Sequence, residues 1–407
     1  MTDEPTATNA PLSGLHVLDL SRVLAGPAAA RLLTDMGAEV IKVEPPDSDV
    51  SRYIAPKSDR GMSGLYTMCN VGKRNVCIDL RTPGGSEVFL DLIRWSHAVI
   101  ENFRPGVLDK LDLGWQTIHR ANPRTVLVSL NGYGSRSSWS DRSAYAPTVH
   151  AAAGVLHYQS EWTGLPLRQL ADNQADMATS LHGTIALLAA LRATDSSGRG
   201  QHVEVPLFDA LLATYSETPF ALLDRPAHRQ ENRLFDAGAH GFLSIAGPPQ
   251  NTWHRLKVTH GLEDPAPEGA DIPTKARLRH DAMERWIQEQ PDLETIVARI
   301  DTAGLAMARV ETLRGALTGP LAKERDLLQY VDDRRGGTRP VVRSPYRFNG
   351  STCPVRGPAP FRGEHNEEIL REVLGYGEER IRDLEAEGAI LAATGEEPQG
   401  PERVDRL

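Results

Sequence analysis

GLHVLDLSRVLAGPAAARLLTDMGAEVIKVE, residues 14–44, is the stretch whose reading decides the fold. It opens on apolar residues alternating over Leu15–Leu20, the period-two pattern of a strand. A helical run follows. Pro27 suits its first position because proline presets φ, and Gly37 suits its stop because glycine tolerates a left-handed cap. Val40–Val43 then reads as a second strand, which completes a βαβ unit.

Outward from there the alternation repeats. VCIDL (Val76–Leu80) leads into a helix from about Thr82 to Trp95, then strand AVIENF, another helical stretch and strand TVLVSL (Thr125–Leu130). A long apolar helix spans roughly Met177–Arg192, followed by the loop SSGRGQ, strand HVEV and a helix after Pro206. This order predicts an α/β fold, with a parallel sheet covered by helices on both faces, over residues 1–225. From 226 to 335 the texture changes to a strand GFLSI, an amphipathic stretch Lys275–Gln290 and scattered Pro and Gly, expected to form a smaller α+β domain. Residues 336–390 hold two short helices, Asn366–Leu374 and Glu378–Glu387, stopped by Gly375 and Gly388. The tail 391–407 lacks apolar period and is expected to be mobile. A length of 407 residues fits two domains, since single cores stop growing near ~250–300 residues.

Composition narrows the function. Hydrophobic residues at 40% and charged residues at 24% are those of a globular chain. A net charge of −9 without a basic run argues against a nucleic-acid partner, while a local cluster of cations can still hold a polyanionic ligand. The three cysteines, Cys69, Cys77 and Cys353, form no CxxC pair, so a disulfide framework or zinc site is not indicated and a reducing cytoplasm fits best. The polar N-terminal segment has no apolar targeting core and no stretch reaches membrane-span length, so no membrane association is expected.

Familiar ligand motifs are missing. The turn SRVLAGPAA has one glycine where a dinucleotide fingerprint needs GxGxxG; GxxxxGK[ST], GxSxG and HExxH do not occur. Neither a tightly bound cofactor nor a metal is expected. Asp176 precedes the apolar helix MATSLHGTIALLAAL, where its carboxylate can meet free N–H groups and the positive end of the helix dipole. Position alone equally describes a plain N-cap, and Asp172 competes for the role.

Six blocks in order carry a resemblance. They are the opening from Pro11 to Pro46, GKRNVCIDLRTPGG, VIENFRPGVLDKLDLGW, ANPRTVLVSLNGYG, SSGRGQHVEVPLFDALL and the closing RGEHNEEILREVLGYGEERIRDLEAEGAI. Together they resemble the family III CoA-transferases (the CaiB/BaiF family), which include α-methylacyl-CoA racemases. The resemblance implies a Rossmann-like large domain, a smaller domain, a C-terminal segment returning to the large one, and an interlinked homodimer. It implies transfer of CoA between an acyl-CoA and a small carboxylic acid, both bound as substrates. The nucleophile would be the aspartate eleven residues before an LLAAL-like stretch, which here is Asp176. The route would pass through an aspartyl mixed anhydride and an aspartyl-CoA thioester.

CoA contacts implied by the matched motifs fall on Ala25, Ile78, Arg81, Asn102, Phe103 and Lys110, with Arg104, Lys73 and Arg74 as further candidates. Tyr145 stands where the racemase branch has a basic histidine and the transferase branch a tyrosine; His150 is too far along the chain to replace it. The region around Asn232–Gly241 is expected to line the acid pocket. Three departures stand out: Pro45 in place of an arginine of formyl-CoA transferase, Ser180 in place of the usual glycine, and no counterpart of a mobile glycine-rich loop. Racemisation or a CoA-linked dehydration remains an alternative within the family, and a non-catalytic CoA-binding protein an alternative outside it. A nicotinamide oxidoreductase would need the missing glycine fingerprint.

Overall fold

The computed structural model describes residues 10–54, 62–223 and 234–391. The deciding stretch folds as strand β1 (His16–Asp19), helix α1 (Ala25–Asp35) and strand β2 (Glu39–Glu44). Pro27 stands third in α1 rather than first, where its missing N–H is still one of the four a helix start leaves unpaired. Next come α2 (Gly64–Asn70), β3 (Arg74–Cys77), α3 (Pro83–Trp95), β4 (Ala98–Glu101), α4 (Val107–Lys110), α5 (Trp115–Ala121) and β5 (Val126–Ser129). They are followed by α6 (Ala146–Ala152), α7 (Val155–Thr163), the long α8 (Gln174–Ser197), β6 (His202–Glu204) and α9 (Leu207–Thr214). Of these, α2, α6 and α7 have no counterpart in the sequence reading.

The six strands make one parallel sheet in the order β3-β2-β1-β4-β5-β6, as the alternation of elements predicts. Both faces are covered. Leu18, Ile41, Val76 and Val99 pack with Phe89 and Leu92 of α3, while Val17, Val40, Ala98 and Val126 pack with Leu33 of α1 and Leu187 of α8. Adjacent residues of one strand therefore serve opposite layers, and both layers are buried. Ile369, Leu370, Ile381 and Leu384 join the first layer, and Ile390 pairs with Ile78 beyond the end of β3. Residues 366–374 are a short helical turn followed by a π-helical turn, Ile369–Val373, rather than one regular helix.

By internal contacts the chain divides into residues 1–218 with 327–407, and residues 219–326. Residues 327–335, assigned to the small domain from sequence, fall in the first unit, where they carry the hairpin β10 (Leu328–Asp332) and β11 (Thr338–Val342). The second unit contains an antiparallel sheet of β7 (Phe235–Asp236), β8 (Phe242–Ile245) and β9 (Met307–Arg309). Leu243 and Ile245 pack on Trp253, Leu256, Ile287 and Ile296 from its helices. Among the described residues, no helix is long and apolar enough to cross a membrane.

A charged layer is buried between the carboxyl ends of β1 and β2 and the amino end of β3. Lys73 Nζ lies 2.7 Å from Asp19 Oδ2 and donates to Pro27 O and Asn70 Oδ1, both at 2.9 Å. Lys42 Nζ lies 3.1 Å from Asp49 Oδ2 and 2.8 Å from Ser21 O. Glu44 accepts from Arg52 Nε at 2.7 Å, Arg52 Nη2 at 2.8 Å and Asn75 Nδ2 at 2.7 Å. Burial alone would push the Asp19 carboxyl up, yet Lys73, Lys42 and the Ser21 hydroxyl hold it below its ordinary value. Ionised pairs survive there because each charge has a partner and further hydrogen bonds. Lys73→Met, which strands the Asp19 carboxylate, is expected to lower folding stability by about 3–5 kcal/mol in urea titration. Combining it with Asp19→Leu should restore most of the loss.

Candidate active site

The turn from β1 into α1 is fixed by side chains from three other segments. Asn102, just past β4, accepts from Arg22 N–H through Oδ1 and donates to Arg22 O through Nδ2, both at 2.7 Å. Asp49 Oδ1 accepts from Val23 N–H at 3.0 Å, and Lys42 holds Ser21 O. Val23 has φ 69°, a left-handed conformation that a β-branched side chain rarely adopts and that these partners impose. Gly26 is required by contact: a Cβ there would lie 2.1 Å from Ser21 Cβ. The result is a rigid entry to α1 whose first residue, Ala25, is 1% exposed.

Asp176 lies opposite that entry. The helix begins at Gln174, earlier than the sequence pattern suggests, so Asp176 sits inside its first turn rather than capping it from outside. Asn173, at the cap position, makes no side-chain cap bond. The buried His150 caps instead: its Nε2 accepts from Ala175 N–H at 3.1 Å, and burial keeps the ring toward its neutral form. Asp176 itself is half-buried, and its carboxylate faces the backbone N–H groups of Ala146, which starts α6, and Ala25, which starts α1. Burial raises its pKa from 3.8 to about 6, with those N–H groups pulling the other way. Asp176 is therefore more basic than an ordinary carboxylate, still ionised at neutral pH, and set between main-chain donors. Asp172 is exposed on the approach to α8.

A cleft of about 300 Å³ opens at the carboxyl ends of β1 to β4, where the strand order reverses and open α/β sheets hold ligands. Ile78, Arg81, Phe103 and Lys110 line it, together with Pro45 and Arg22. The Arg81 side chain is 73% exposed and braced on Asp79, with Nε 2.8 Å from Oδ1 and Nη2 2.7 Å from Oδ2. Lys110 is exposed at the rim and Ile78 is fully buried. Ala25 and Asn102 do not line the cleft wall; Ala25 ends the β1–α1 turn that joins it to Asp176, and Asn102 braces that turn from beyond β4. Arg104 lines a neighbouring cavity of about 170 Å³ with Glu101, Ser129 and His202. Tyr145, 45% exposed, precedes α6 and so stands beside the Ala146 N–H. Lys73 belongs to the buried layer, and Arg74 pairs with Glu39 and Glu368 at the sheet edge. Of the region expected to line an acid pocket, 232–233 lie outside the described residues, while Leu234–Gly241 form β7 and a 3₁₀ turn in the second unit.

Three groups here were not read from sequence. Arg22 was legible as a cation within the first βα turn, and its guanidinium bonds Ser48 O at 3.0 Å while lining the cleft. The Ala146 donor was signalled only by Pro147, a residue suited to a first helical turn. The His150 cap had no local signal, since its partner is 25 residues away.

Residues 12–366 match the family described as CoA-transferase family III. The chain is 29% identical to the succinyl-CoA–L-malate CoA-transferase beta subunit of Chloroflexus aurantiacus, covering 95% of this chain and 99% of that one. It is 30% identical to the succinate–glutarate CoA-transferase of Agrobacterium fabrum, over 92% and 98%. Among solved structures, a CaiB/BaiF family protein of Brucella suis aligns with a TM-score of 0.73 at 27% identity, covering 90% of this chain and all of that one.

Removing the His150 acceptor leaves the Ala175 N–H unpaired at a buried helix start. His150→Leu is expected to cost about 1–3 kcal/mol of folding stability, measured by chemical denaturation at pH 8, where the wild-type ring is neutral. The difference should shrink as pH falls and the wild-type ring protonates, because burial places its folded pKa below the unfolded one.

Proposed function

The chain belongs to CoA-transferase family III, and on that premise we propose that it moves coenzyme A between an acyl-CoA thioester and a small free carboxylic acid, with Asp176 as nucleophile. The observation that carries this reading is the Asp176 carboxylate held between the Ala25 and Ala146 N–H groups, beside a ligand cleft. An ionised carboxylate needs no general base to attack a thioester. Attack on the acyl carbonyl expels CoA thiolate and leaves an acyl-aspartyl anhydride. The thiolate then attacks the Asp176 carbonyl, which releases the donor acid and leaves an aspartyl-CoA thioester. An acceptor carboxylate attacks that thioester, and the returning thiolate takes up the new acyl group and frees Asp176. Atoms and charge balance at every step, so no further cofactor enters. Oxyanions formed on the Asp176 carbonyl would meet the Ala25 and Ala146 donors; loss of one such donor typically costs 10²–10³-fold in rate.

Ile78, Arg81, Phe103 and Lys110, with Arg22, are the residues we assign to the CoA nucleotide: cations for its phosphates and an apolar floor for its base. Asn102 and Ala25 act through the turn, and Arg104 and Tyr145 flank the path. Only Val23 and Leu24 separate Arg22 at the cleft from Ala25 at the carboxylate. Nucleotide binding energy can thus hold the thiolate near Asp176. Racemisation is less well supported, because the Nε2 of His150 is occupied by Ala175 N–H and a tyrosine, Tyr145, stands where the racemase branch has a histidine.

We assign the active form to a homodimer in a reducing, cytoplasmic compartment. Cys69, Cys77 and Cys353 are all free and buried. Met177, Leu181 and Ile185 recur every four residues along α8 and are 43%, 47% and 63% exposed, an apolar stripe that a second copy would cover.

Incubation with a panel of acyl-CoAs and hydroxylamine should place a hydroxamate on the peptide carrying Asp176, absent in Asp176→Ala. Its yield should rise about tenfold per pH unit below pH 6 and level off above 7, following ionisation of a carboxyl whose pKa is about 6. An unlabelled peptide with every acyl-CoA that binds would sink the nucleophile assignment. Sedimentation velocity at micromolar concentration should give a dimer, and Leu181→Glu with Ile185→Asp should give a monomer. A monomeric wild type would refute the second copy.

A further inference from the structure

Helix α8 carries several hydroxyls that bond the carbonyl four residues back on the same helix: Thr179 to Ala175 O at 2.7 Å and Thr184 to Ser180 O at 2.8 Å. Such bonds satisfy a buried hydroxyl without connecting anything. Ser180 differs. Its Oγ lies 2.9 Å from Asp176 O within the helix and 2.7 Å from Ala25 O on α1. A hydroxyl has one proton to donate, and the shorter contact is the one between helices. Ser180 is fully buried, so no solvent competes for it.

The consequence is a closed ring of contacts around one residue. Ala25 presents its N–H to the Asp176 carboxylate, and its C=O accepts from Ser180, four residues further along the same helix. One helix thus grips both polar groups of Ala25, one through the reacting carboxylate and one through an inert hydroxyl. The rest of the turn is fixed from the opposite side by Asn102, Asp49 and Lys42. None of those three bonds connects α8 to α1.

We propose that Ser180 is a positioning residue for the transfer reaction: its bond to Ala25 C=O sets the spacing at which Ala25 N–H meets the Asp176 carboxylate and the oxyanions formed on it. The role rests on the function proposed above, but its geometric content can be read without turnover. Loss of the bond lets the two helix starts separate. The ground-state carboxylate then loses part of a donor that stabilises its charged form, so its titration moves upward; the reaction loses the same donor where charge develops.

The test uses the full-length protein labelled with ¹³Cγ-aspartate. The Asp176 resonance is assigned by its loss in Asp176→Asn, and its titration is followed in wild type, Ser180→Ala, Ser180→Gly and Thr184→Val. The expected result is a midpoint higher in both Ser180 variants by about half a pH unit or more, and unmoved in Thr184→Val. With a labelling acyl-CoA, kcat in the Ser180 variants should fall about tenfold, the size of one lost neutral hydrogen bond, with KM within about twofold. Unchanged midpoint and kcat in Ser180→Ala would overturn the proposal, as would an equal shift in Thr184→Val. If wild type never labels at Asp176, the transferase reading fails, whereas the titration still decides whether Ser180 sets the contact.

Discussion

The surroundings of the Asp176 carboxylate depend on one short turn whose backbone polar groups are held by side chains. Between β1 and α1, Asn102 occupies both polar groups of Arg22, Asp49 takes Val23 N–H, and Lys42 takes Ser21 O. Asp49 is able to do this as a buried anion only because Lys42 lies 3.1 Å away. The left-handed Val23 is the visible cost of this arrangement, a conformation a free chain would leave at once. The reward is that Ala25 N–H has a fixed direction, and a donor that needs no reorganisation is worth most when charge develops opposite it.

The electrostatics of Asp176 are a balance of opposed effects. Removal from water disfavours the carboxylate, while the starts of α1 and α6 present N–H groups and positive dipole ends to it. Burial wins by enough to bring the pKa to about 6, not enough to protonate the group at neutral pH. A carboxylate at the usual value would be ionised too, but it would be less basic and better solvated. Full burial without donors would have left it neutral and unreactive.

Much of this was legible in residues 14–44 because two independent signals agreed there: alternation for strands, and Pro27 and Gly37 bracketing a helix. The parallel sheet followed from repetition of that unit. The buried charged layer was not legible. In IKVE, Lys42 and Glu44 occupy positions that alternation assigns to solvent, and only folding brings Asp49, Arg52 and Asn75 to cover them. Asp176 could not be told from a common helix cap by position, and family resemblance singled it out. Helix α6 was missed because APTVHAAAG is short and weakly patterned, which also hid the Ala146 donor and the His150 cap. The hairpin at 328–342 sits in the larger unit because its packing partners, Tyr66 and Val71, lie some 260 residues earlier, a relation no local pattern encodes.

The donors that face Asp176 are peptide N–H groups, those of Ala25, Ala146 and Asp176 itself, not side chains. Ordinary drift at positions 25 and 146 therefore cannot delete them; only proline, or a displaced backbone, would. Side chains lining the cleft can therefore change without touching the main-chain donors that face the carboxylate. The vulnerable positions shift to the residues that hold that backbone still, Asn102, Asp49 and Gly26 among them, where a substitution far from the carboxylate would still displace the donors that face it.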